Sequence, residues 1–481
     1  MYIGIDLGTS SLKTLLSDKN GKILDSERVE YPVSYPKIGY SEQNPQDWHN
    51  ALLSTLKSLK QKYKLSDVRA ISFCGQMHGL VILDKDDNVL RPAILWNDNR
   101  TSEETKYLNE TIGKSKLLKW TGNIAFNGFT APKLLWLRKY EKHIFDKIAK
   151  IMLPKDYLVY KMSGVYASDV SDNSGTLYFD VKNKCWSKDM LDILGISEER
   201  LPKIYESYQA VGNVSESFGA MTGLSTNAKV AVGGGDQAIG AIGTGTVDDN
   251  EISISLGTSG VVFASTDKYK AVGEGIHSFC HANGKYHFMG CMLSCAGSLD
   301  FWLKDILRTK DFEQDVTAVV KTDAEGLYFL PYLAGERSPI NDPCAKGTFY
   351  GLTLGHSRED MTRAVIEGVS LGLKDCFKNM NVNPKFARAI GGGTHSPEWL
   401  QILADCLGIE IRTLKTNEGG GFGAIILAMV ADGIYKDISS AAKKLISDDK
   451  KYLPNKSRLK HYNSKYIKFK QLYDRLKLAE K

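Results

Sequence analysis

The chain has 481 residues, of which 42% are hydrophobic and 25% are charged, and 62 lysines and arginines nearly balance 56 aspartates and glutamates. This length suits about two to four globular domains, and the net charge of +6 is too small to favour a nucleic-acid partner. No run of about 18 apolar residues occurs, which predicts no membrane span. The chain starts directly with a strand pattern at residues 2–5, and its eight cysteines are scattered, so we expect no signal peptide, reduced thiols and a cytoplasmic location.

Short apolar runs bounded by turn residues predict strands, and apolar residues with a helical period predict helices. The predicted strands cover residues 22–29, 70–73, 80–83, 229–232, 327–330 and 387–390. The predicted helices cover residues 48–63, 103–109, 133–140, 358–377, 398–407 and 422–431. This alternation indicates a mixed α/β architecture.

One short pattern occurs twice, about half a chain apart. Residues 5–11 read IDLGTSS and residues 254–260 read ISLGTSG. Each copy lies between two β-type runs and predicts a strand, a tight glycine turn and a second strand. So distant a repeat indicates two related domains. We predict an N-terminal domain over 1–245, a C-terminal domain over 246–440, and a lysine-rich helical tail over 441–481 that is a solvated face or a mobile end.

The two repeated turns have the composition of phosphate-binding turns. Glycine lets the backbone approach an anion, and successive N–H groups and hydroxyls can donate to phosphate oxygens. Two such turns in paired domains favour a nucleotide held between them, and the absence of a Gly-x-x-x-x-Gly-Lys-Ser/Thr motif excludes a P-loop enzyme. The predicted phosphate ligands are Gly8, Thr9, Ser10, Gly257, Thr258 and Ser259.

Two aspartates occupy positions suited to catalysis. Asp6 precedes the first turn, where the second copy has Ser255. There it can hold Mg²⁺ directly or through water, or bond to the backbone of its own turn. Asp236 follows three glycines and begins a predicted helix, where it can accept a proton from a hydroxyl or cap the helix. The repeat alone leaves these alternatives open.

A third glycine cluster, at residues 391–393, lies between a predicted strand and a predicted helix, and Thr394, His395 and Ser396 follow it. This corner suits a nucleoside, while its spacing does not support a Rossmann dinucleotide fold. Another stretch has metal-capable spacings but alternates like a β-hairpin around residues 283 and 284, so we predict packed strand residues rather than zinc. Its members are His277, Cys280, His281, His287, Cys291 and Cys295.

Two polar loops suit a polyhydroxylated sugar, although either taken alone is more often an ordinary loop. Residues 76–78 (QMH) join two predicted strands. Residues 96–100 (WNDNR) offer an aromatic face, amides, a carboxylate and a cation. Beside the phosphate turns and the two aspartates, these loops favour phosphoryl transfer to a sugar.

Several longer motifs carry a family resemblance. They are GFTAPKLLWLR at 128–138, GTFYGL at 347–352 with Asp360, Met361, Ala364 and Glu367, GQMHG at 75–79, WNDNR at 96–100, LPKDYL at 153–158, SDNSGT at 171–176, and GERSP at 335–339 with NDP at 341–343. On these residues the chain resembles the FGGY carbohydrate kinases, and within them the xylulokinases, from residue 1 to about residue 431. Tyr140 and Thr394 depart from the family pattern.

The resemblance implies two actin-like (ribonuclease-H-like) domains with ATP and sugar in the cleft between them. It implies that Asp236 is the catalytic base, that Asp6 helps to organise metal and acceptor, and that both residues hold Mg²⁺ directly or through water. The implied substrate-binding residues are Met77, His78, Trp96, Asn97, Asp98, Arg100, Asp236 and Gln237. The implied nucleotide-binding residues are those of the two turns together with Lys13, Gly297, Gly392, Gly393 and Ser396.

The expected reaction is transfer of the γ-phosphate of ATP to D-xylulose, which gives D-xylulose 5-phosphate and feeds xylose catabolism into the pentose phosphate pathway. Another kinase of the family, acting on ribulose, gluconate, glycerol or a related polyol, remains an alternative. An actin-like ATPase is a rival from a different class, and the presence of both Asp6 and Asp236 disfavours a catalytically silent sensor. The expected partners are the sugar and ATP, with no nucleic acid and no membrane, and the resemblance leaves a homodimer open.

Overall fold

The computed structural model describes residues 1–273, 275–416 and 418–479. The strands of the first half are β1 (Tyr2–Leu7), β2 (Ser11–Ser17), β3 (Ile23–Glu30), β4 (Glu42–Gln43), β5 (Ala70–Gly75), β6 (Val81–Leu83), β7 (Ala93–Ile94), β8 (Lys150–Met152), β9 (Ala167–Asp169), β10 (Phe179–Asp180), β11 (Cys185–Trp186), β12 (Lys203–Tyr205), β13 (Ala210–Asn213), β14 (Lys229–Ala231) and β15 (Gly234–Gly235). Those of the second half are β16 (Ile252–Leu256), β17 (Gly260–Thr266), β18 (His277–Cys280), β19 (Tyr286–Met292), β20 (Tyr328–Leu330), β21 (Thr348–Tyr350), β22 (Phe386–Ile390), β23 (Glu410–Leu414) and β24 (Asp448–Tyr452).

The helices of the first half are α1 (Pro45–Lys62), α2 (Ser102–Lys106), α3 (Lys114–Thr121), α4 (Thr130–Tyr140), α5 (Lys142–Phe145), α6 (Pro154–Ser163), α7 (Val170–Asn173), α8 (Lys188–Leu194), α9 (Glu216–Thr222) and α10 (Asp236–Gly243). Those of the second half are α11 (Ala296–Asp300), α12 (Phe312–Thr317), α13 (Arg358–Met380), α14 (Pro397–Leu407), α15 (Gly419–Asp432), α16 (Ile438–Leu445) and α17 (Lys456–Ala479). Short 3₁₀ turns cover Leu65–Asp67, Glu198–Arg200, Ala318–Lys321 and Gly392–His395, and π-helical turns cover Tyr107–Gly113 and Phe301–Ile306.

Local sequence signals account for several of these element ends. Helix α1 begins after Asn44, whose side chain accepts from the Gln46 N–H, with proline at its first position. Helix α13 begins with a capping box between Ser357 and Asp360. The helix predicted over 103–109 is α2 followed by a wider π-helical turn, so its second half departs from the expected period.

The first large sheet has the order β13-β14-β5-β1-β2-β3, with β15 also paired to β5. Strand β1 runs antiparallel to β2 and parallel to β5. Four of the six residues of β1 carry apolar side chains that are fully buried, namely Tyr2, Ile3, Ile5 and Leu7. Such burial is expected for a central strand covered on both faces.

The second large sheet has the order β18-β19-β17-β16-β22-β23-β24 and repeats the plan of the first. Strand β16 runs antiparallel to β17 and parallel to β22, as β1 does to β2 and β5. The sequence repeat therefore occupies equivalent corners, β1–β2 and β16–β17, and the predicted strand-turn-strand structure of both copies is confirmed.

Helices α10 and α15 pack closely across one face of the first sheet. A Cβ atom at Gly423 would lie 2.0 Å from the carbonyl oxygen of Ile239, so the two helix backbones touch there. Helix α15 also lies against β1 and β5, although its residues fall within the predicted C-terminal domain. The domain limits remain a prediction, and this helix ties the two parts of the chain together.

The end of the chain is integrated into the second sheet. Strand β24 pairs with β23, and Tyr462, Phe469 and Leu472 of α17 are buried in the core of that half. The lysine-rich composition had suggested a solvated face or a mobile end, whereas the helix buries an aromatic stripe. Lys465 is buried with that stripe and pairs with Glu367, while Lys456, Lys460, Lys468, Lys470 and Lys477 are exposed. Throughout the chain that the structure describes, every helix is too short or too polar to cross a lipid bilayer.

Candidate active site

Three neighbouring parallel strands of the first sheet end at one edge. Strand β1 pairs with β5 and β5 pairs with β15, so that Asp6 lies opposite Cys74 and Cys74 lies opposite Gly234. In α/β sheets, ligands bind outside the carboxyl ends of such strands. Here that edge brings together Asp6, the loop that follows β5, and Asp236 at the start of α10.

Asp236 has the properties of a base. Burial, followed by the negative charge of Asp6, raises the pKa of Asp236 to about 7, against hydrogen bonds from Gln237 that lower it. A carboxylate with a pKa near neutrality combines a usable deprotonated fraction with enough basicity to accept a proton from a hydroxyl. Gln237, a predicted sugar ligand, is thereby placed directly beside this carboxylate.

Asp6 provides a second carboxylate at the same edge. Burial raises its pKa, whereas a hydrogen bond with the Cys74 thiol and the positive charge of Lys13 lower it. Because Asp6 and Asp236 repel one another, a divalent cation beside them would be favoured, and carboxylate oxygens are ligands that Mg²⁺ accepts. In the described part of the chain no three His, Cys, Asp or Glu side chains cluster as a metal site.

Lys13, a predicted nucleotide ligand, faces Asp6 across the β1–β2 pair. Its amine forms an ion pair with Glu418, the residue directly before α15. About a third of the Lys13 side chain remains exposed. Lys13 therefore links the first turn to α15 and leaves a cation at the rim of the site.

The first phosphate turn is held from both sides. The Gly8 N–H donates to the Ser11 oxygen over 3.0 Å, and Gln43 Nε2 donates to the Thr9 oxygen over 2.6 Å. Trp96 Nε1 donates to the Thr9 hydroxyl over 2.9 Å. Trp96 was predicted to contact the sugar, and the structure joins it to the phosphate turn. Gln43 was missed because its side chain reaches the turn from a separate strand.

His78 is held as a neutral imidazole. Its Nδ1 lies 2.9 Å from the Gly175 carbonyl oxygen, which can only accept, so Nδ1 carries the proton and Nε2 is left as an acceptor. Burial and nearby positive charge hold the pKa of His78 well below its ordinary value. The preceding residue, Met77, packs so closely on Gly235 that a Cβ there would lie 2.9 Å from its side chain. This loop therefore touches the turn that directly precedes Asp236.

The loop at 96–100 contains both exposed and buried side chains. Asp98 accepts from Arg100 and from the Ser41 N–H, and Arg100 also pairs with Glu42 over 2.6 Å. The Arg100 side chain is 1% exposed and Asp98 is fully buried, so both are occupied within the protein. Their predicted sugar contact remains a prediction, while the structure gives them the role of holding the loop. Asn97 keeps a buried side-chain oxygen without a partner in the described residues.

The charge of Asp236 also acts on a residue of the second half of the chain. Burial raises the pKa of the Cys291 thiol on β19 to about 11, the positive charge of Arg337 lowers it and the negative charge of Asp236 raises it. Arg337 likewise lowers the pKa of His277. The loop of Arg337 is fixed by Glu336, which accepts from the Leu293 N–H over 2.8 Å. The sequence analysis used residues 335–339 only for the family resemblance and did not predict Arg337 as a site residue.

The second turn is covered by the start of α11. The Ala296 N–H donates to the Gly257 oxygen over 2.8 Å, and the Gly297 N–H donates to the Thr258 oxygen over 3.1 Å. A Cβ at Gly297 would lie 2.9 Å from that same Thr258 oxygen. Gly297 thus supports the turn by close approach, and Ser259 is exposed at its tip.

A cavity of about 780 Å³ opens between the second turn and the third glycine corner. The predicted residues Gly257, Thr258, Gly392, Gly393 and Ser396 line it. His395, which the sequence analysis placed at this corner, also lines it, as does Leu256 at the end of β16. The other walls are helical residues that the sequence analysis missed, namely Ala296, Leu299, Asp300, Phe312, Glu313, Val316, Thr317, Pro397, Glu398 and Trp399. An apolar wall beside glycine turns is suited to a nucleoside base and ribose next to phosphates.

The histidine- and cysteine-rich stretch forms the hairpin β18–β19, as predicted. His277, His281 and His287 are buried, and His287 stacks on Phe263 with 4.1 Å between ring centroids. Burial lowers the pKa of His277 to about 3 and that of His281 to about 4, so both are neutral packing residues at neutral pH.

Comparisons with known proteins agree along the whole chain. The N-terminal domain of the FGGY family of carbohydrate kinases matches residues 1–243, and its C-terminal domain matches residues 252–431. The chain is 40% identical over 485 residues to the xylulose kinase of Escherichia coli strain K12 and 39% identical over 484 residues to that of Staphylococcus xylosus. The first alignment covers 99% of both chains, and the second covers 98% of this chain and 99% of the relative.

Solved structures show the same arrangement. A kinase structure from Brucella ovis, titled a xyloylose kinase, superposes with a TM-score of 0.94 at 35% identity, over 99% of both chains. A gluconate kinase from Lactobacillus acidophilus also reaches 0.94, at 28% identity, over 99% of this chain and 98% of that one. The predicted two-domain, ribonuclease-H-like fold is therefore confirmed. The chain belongs to the FGGY family of carbohydrate kinases, enzymes that transfer a phosphoryl group from ATP to a sugar.

Proposed function

We propose that this kinase phosphorylates a primary hydroxyl of D-xylulose with ATP and yields D-xylulose 5-phosphate. The observation that carries the proposal is the contact between the sugar loop and the base turn: Met77 packs on Gly235, directly before Asp236. The curated relatives that share 36–40% of its sequence over nearly the whole chain are named xylulose kinases, which supports the same acceptor here.

Gluconate is the strongest alternative acceptor. The gluconate kinase structure superposes as well as the xylulose kinase-type structure does, so the fold alone cannot discriminate between the sugars. Discrimination between similar sugars rests on the polar groups that meet their hydroxyls. A neutral His78 with a free Nε2 acceptor suits an uncharged ketose and offers no cation to a carboxylate.

The proposed chemistry is an in-line phosphoryl transfer. Asp236 removes the proton of the attacking hydroxyl as a bond forms between the sugar oxygen and the γ-phosphorus. The bond from the γ-phosphorus to the bridging oxygen breaks, and ADP leaves with that electron pair. The pKa of about 7 supports this role, since the carboxylate can take the proton at neutral pH.

The two glycine turns and Lys13 would stabilise the phosphates. Backbone N–H groups and hydroxyls of each turn donate to phosphate oxygens, and the cavity at the second turn would hold the adenosine. Asp6 and Asp236 would hold Mg²⁺ directly or through water, and when bound the ion neutralises phosphate charge. Closure of the two halves would exclude water and so limit futile ATP hydrolysis.

We also infer a cytoplasmic enzyme whose partners are the sugar and ATP, without nucleic acid or membrane. The near balance of charges supports this view, with 62 basic and 56 acidic residues. A homodimer is the oligomeric state to test, by light scattering of the purified chain.

The deciding experiment measures ADP release with Mg²⁺ and ATP across D-xylulose, L-xylulose, D-ribulose, L-ribulose, D-gluconate and glycerol. We expect kcat/KM for D-xylulose to exceed that of every other acceptor by at least about tenfold. A preference for another sugar would overturn the acceptor and keep the kinase. ADP release that no sugar stimulates would favour an actin-like ATPase.

The base assignment is tested by Asp236→Ala. We expect kcat to fall at least about 100-fold while the KM for sugar changes by less than about threefold, because general base catalysis acts on the transition state. The matched control is Asp189→Ala, an exposed aspartate in the first turn of α8, which should keep normal kcat. Near-normal turnover in the Asp236 variant would refute the assignment.

A further inference from the structure

Two motifs of the sequence have entered the site so far only through the Gly175 carbonyl that binds His78. They are LPKDYL at 153–158 and SDNSGT at 171–176. The structure brings them together beneath the edge that carries Asp236 and His78. The side chain of Lys155 is fully buried there and pairs with Asp156 over 2.5 Å, with Asp169 over 2.9 Å and with Asp172 over 3.8 Å.

One end of this cluster contacts the base turn. The Ser171 hydroxyl donates to Asp169 Oδ2 over 2.5 Å, and it accepts from the Gly235 N–H over 3.2 Å. The fit is close, since a Cβ at Gly234 would lie 2.4 Å from the Ser171 hydroxyl. Asp236 directly follows Gly235, so the hydrogen bond to Ser171 holds the peptide group immediately before the proposed base.

The other end contacts the sugar loop. The Gly175 carbonyl accepts from His78 Nδ1 over 2.9 Å and thereby selects the tautomer that leaves Nε2 free. A Cβ at Gly175 would lie 2.1 Å from Cε1 of the imidazole. The start of the sugar loop rests on the same support, because a Cβ at Gly75 would lie 2.7 Å from Cβ of Lys155.

We propose that residues 169–175, anchored by the buried Lys155, form one positioning element that sets Asp236 through Ser171 and His78 through the Gly175 carbonyl. This inference rests on the proposed function, because it assigns supports to its base and to its sugar ligand. Neither Ser171 nor Gly175 is a catalytic residue in this account.

The charge balance explains why such an element would be rigid. One lysine meets three aspartates in a fully buried cluster, and breaking such a buried ion pair would leave an uncompensated charge without water to solvate it. Burial raises the pKa of Asp172 well above its ordinary value, and the positive charge of Lys155 opposes that rise. Catalytic groups need supports of this kind, since small displacements cost large factors in rate.

The base end is tested with Ser171→Ala against the matched control Ser207→Ala. Ser207 is also fully buried and donates to the same Asp169 oxygen over 2.6 Å. Its hydroxyl lies 3.3 Å from the Ser171 hydroxyl but does not itself bond to the base turn. We expect Ser171→Ala to lower kcat at least tenfold with KM for ATP and sugar within twofold, and Ser207→Ala to keep kcat within twofold. Equal losses of kcat in both variants, or unchanged kcat in Ser171→Ala, would overturn the proposal.

The sugar end is tested with Gly175→Ala, whose backbone does not need a positive φ. The new Cβ displaces the imidazole, so we expect the KM for sugar to rise about tenfold while kcat changes less than threefold. The two ends of one element thus give opposite kinetic signatures, which a general loss of stability does not produce. An unchanged KM would overturn this half of the proposal.

Wild-type enzyme and Asp236→Ala are measured alongside, with whichever sugar the wild-type enzyme prefers. If Asp236→Ala is inactive and Ser171→Ala is normal, the positioning proposal fails and the proposed function stands. If Asp236→Ala retains full turnover, the proposed function fails at the base itself.

Discussion

Asp236 and Asp6 lie close enough that each charge affects the other. Burial and the Asp6 charge raise the pKa of Asp236 to about 7. Since the folded, substrate-free enzyme holds this proton below about pH 7, the base is blocked there and becomes available as pH rises. We expect kcat/KM for the sugar to rise about tenfold per pH unit below about pH 7 and to level off above it. The measurement is a pH–rate profile with both the sugar and Mg²⁺–ATP well below their KM values, so that it reports the substrate-free enzyme.

A control keeps this profile interpretable. The unfolding midpoint is followed at each pH, so that loss of folded protein is not mistaken for titration of the base. A profile that stays flat between pH 5 and pH 8 with folded enzyme would contradict the assignment of Asp236 as the titrating base.

At the level of elements, the parts of the site that depend on local backbone were predictable. Two Gly-Thr-Ser turns and the start of α10 at Asp236 follow from glycine placement beside apolar runs, and the structure has all three. Those signals are local, because a tight turn needs particular residues at particular positions.

Other parts of the site depend on contacts between distant segments and could not be predicted in this way. Asp98 and Arg100 resemble ligand residues in a polar loop, yet Glu42 and Ser41 occupy them from another part of the chain. Likewise, Phe312 and Val316 are ordinary apolar residues of a helix in the sequence, and only the packing of α12 turns them toward the cavity.

The glycine corner of that cavity gives a prediction at the same scale. Gly392 lines the cavity, and no atom lies within 4 Å of where its Cβ would be. A leucine there should enter the space proposed for adenosine, so we expect Gly392→Leu to raise the KM for ATP about tenfold, or about 1.4 kcal/mol. The KM for sugar should stay within twofold, because the sugar loop belongs to the other half of the chain.

Gly355→Leu is the matched control, since Gly355 is exposed, has an ordinary φ and does not line the cavity. Steady-state kinetics with ATP and sugar varied in turn distinguish the effects. If Gly392→Leu binds ATP normally, the cavity is not the nucleoside site.

At the scale of the whole molecule, the two sheets repeat one plan. The first half carries Asp236, the proposed base, and after burial the negative charge of Asp236 raises the pKa of Cys291 on β19 of the second half. From composition, residues 441–481 were predicted to be a lysine-rich tail outside the two domains. Among these lysines, Tyr462, Tyr466, Phe469 and Leu472 recur with a helical period, and this is the stripe that α17 packs against the core of the second half.

That packing makes α17 part of the stability of the second half. Phe469 is 1% exposed and lies 6.3 Å from the Tyr332 ring, centroid to centroid. Truncating a buried phenylalanine leaves a cavity and costs about 3–5 kcal/mol, so we expect Phe469→Ala to lower the thermal unfolding midpoint by at least about 5 °C. Ile467, two residues earlier on the same helix, is 58% exposed, and Ile467→Ala should leave the midpoint nearly unchanged. Calorimetry of the two variants measures both midpoints. Equal midpoints would mean that the helix is a solvated tail, as the lysine content had suggested. A drop confined to Phe469→Ala requires the aromatic stripe to be buried.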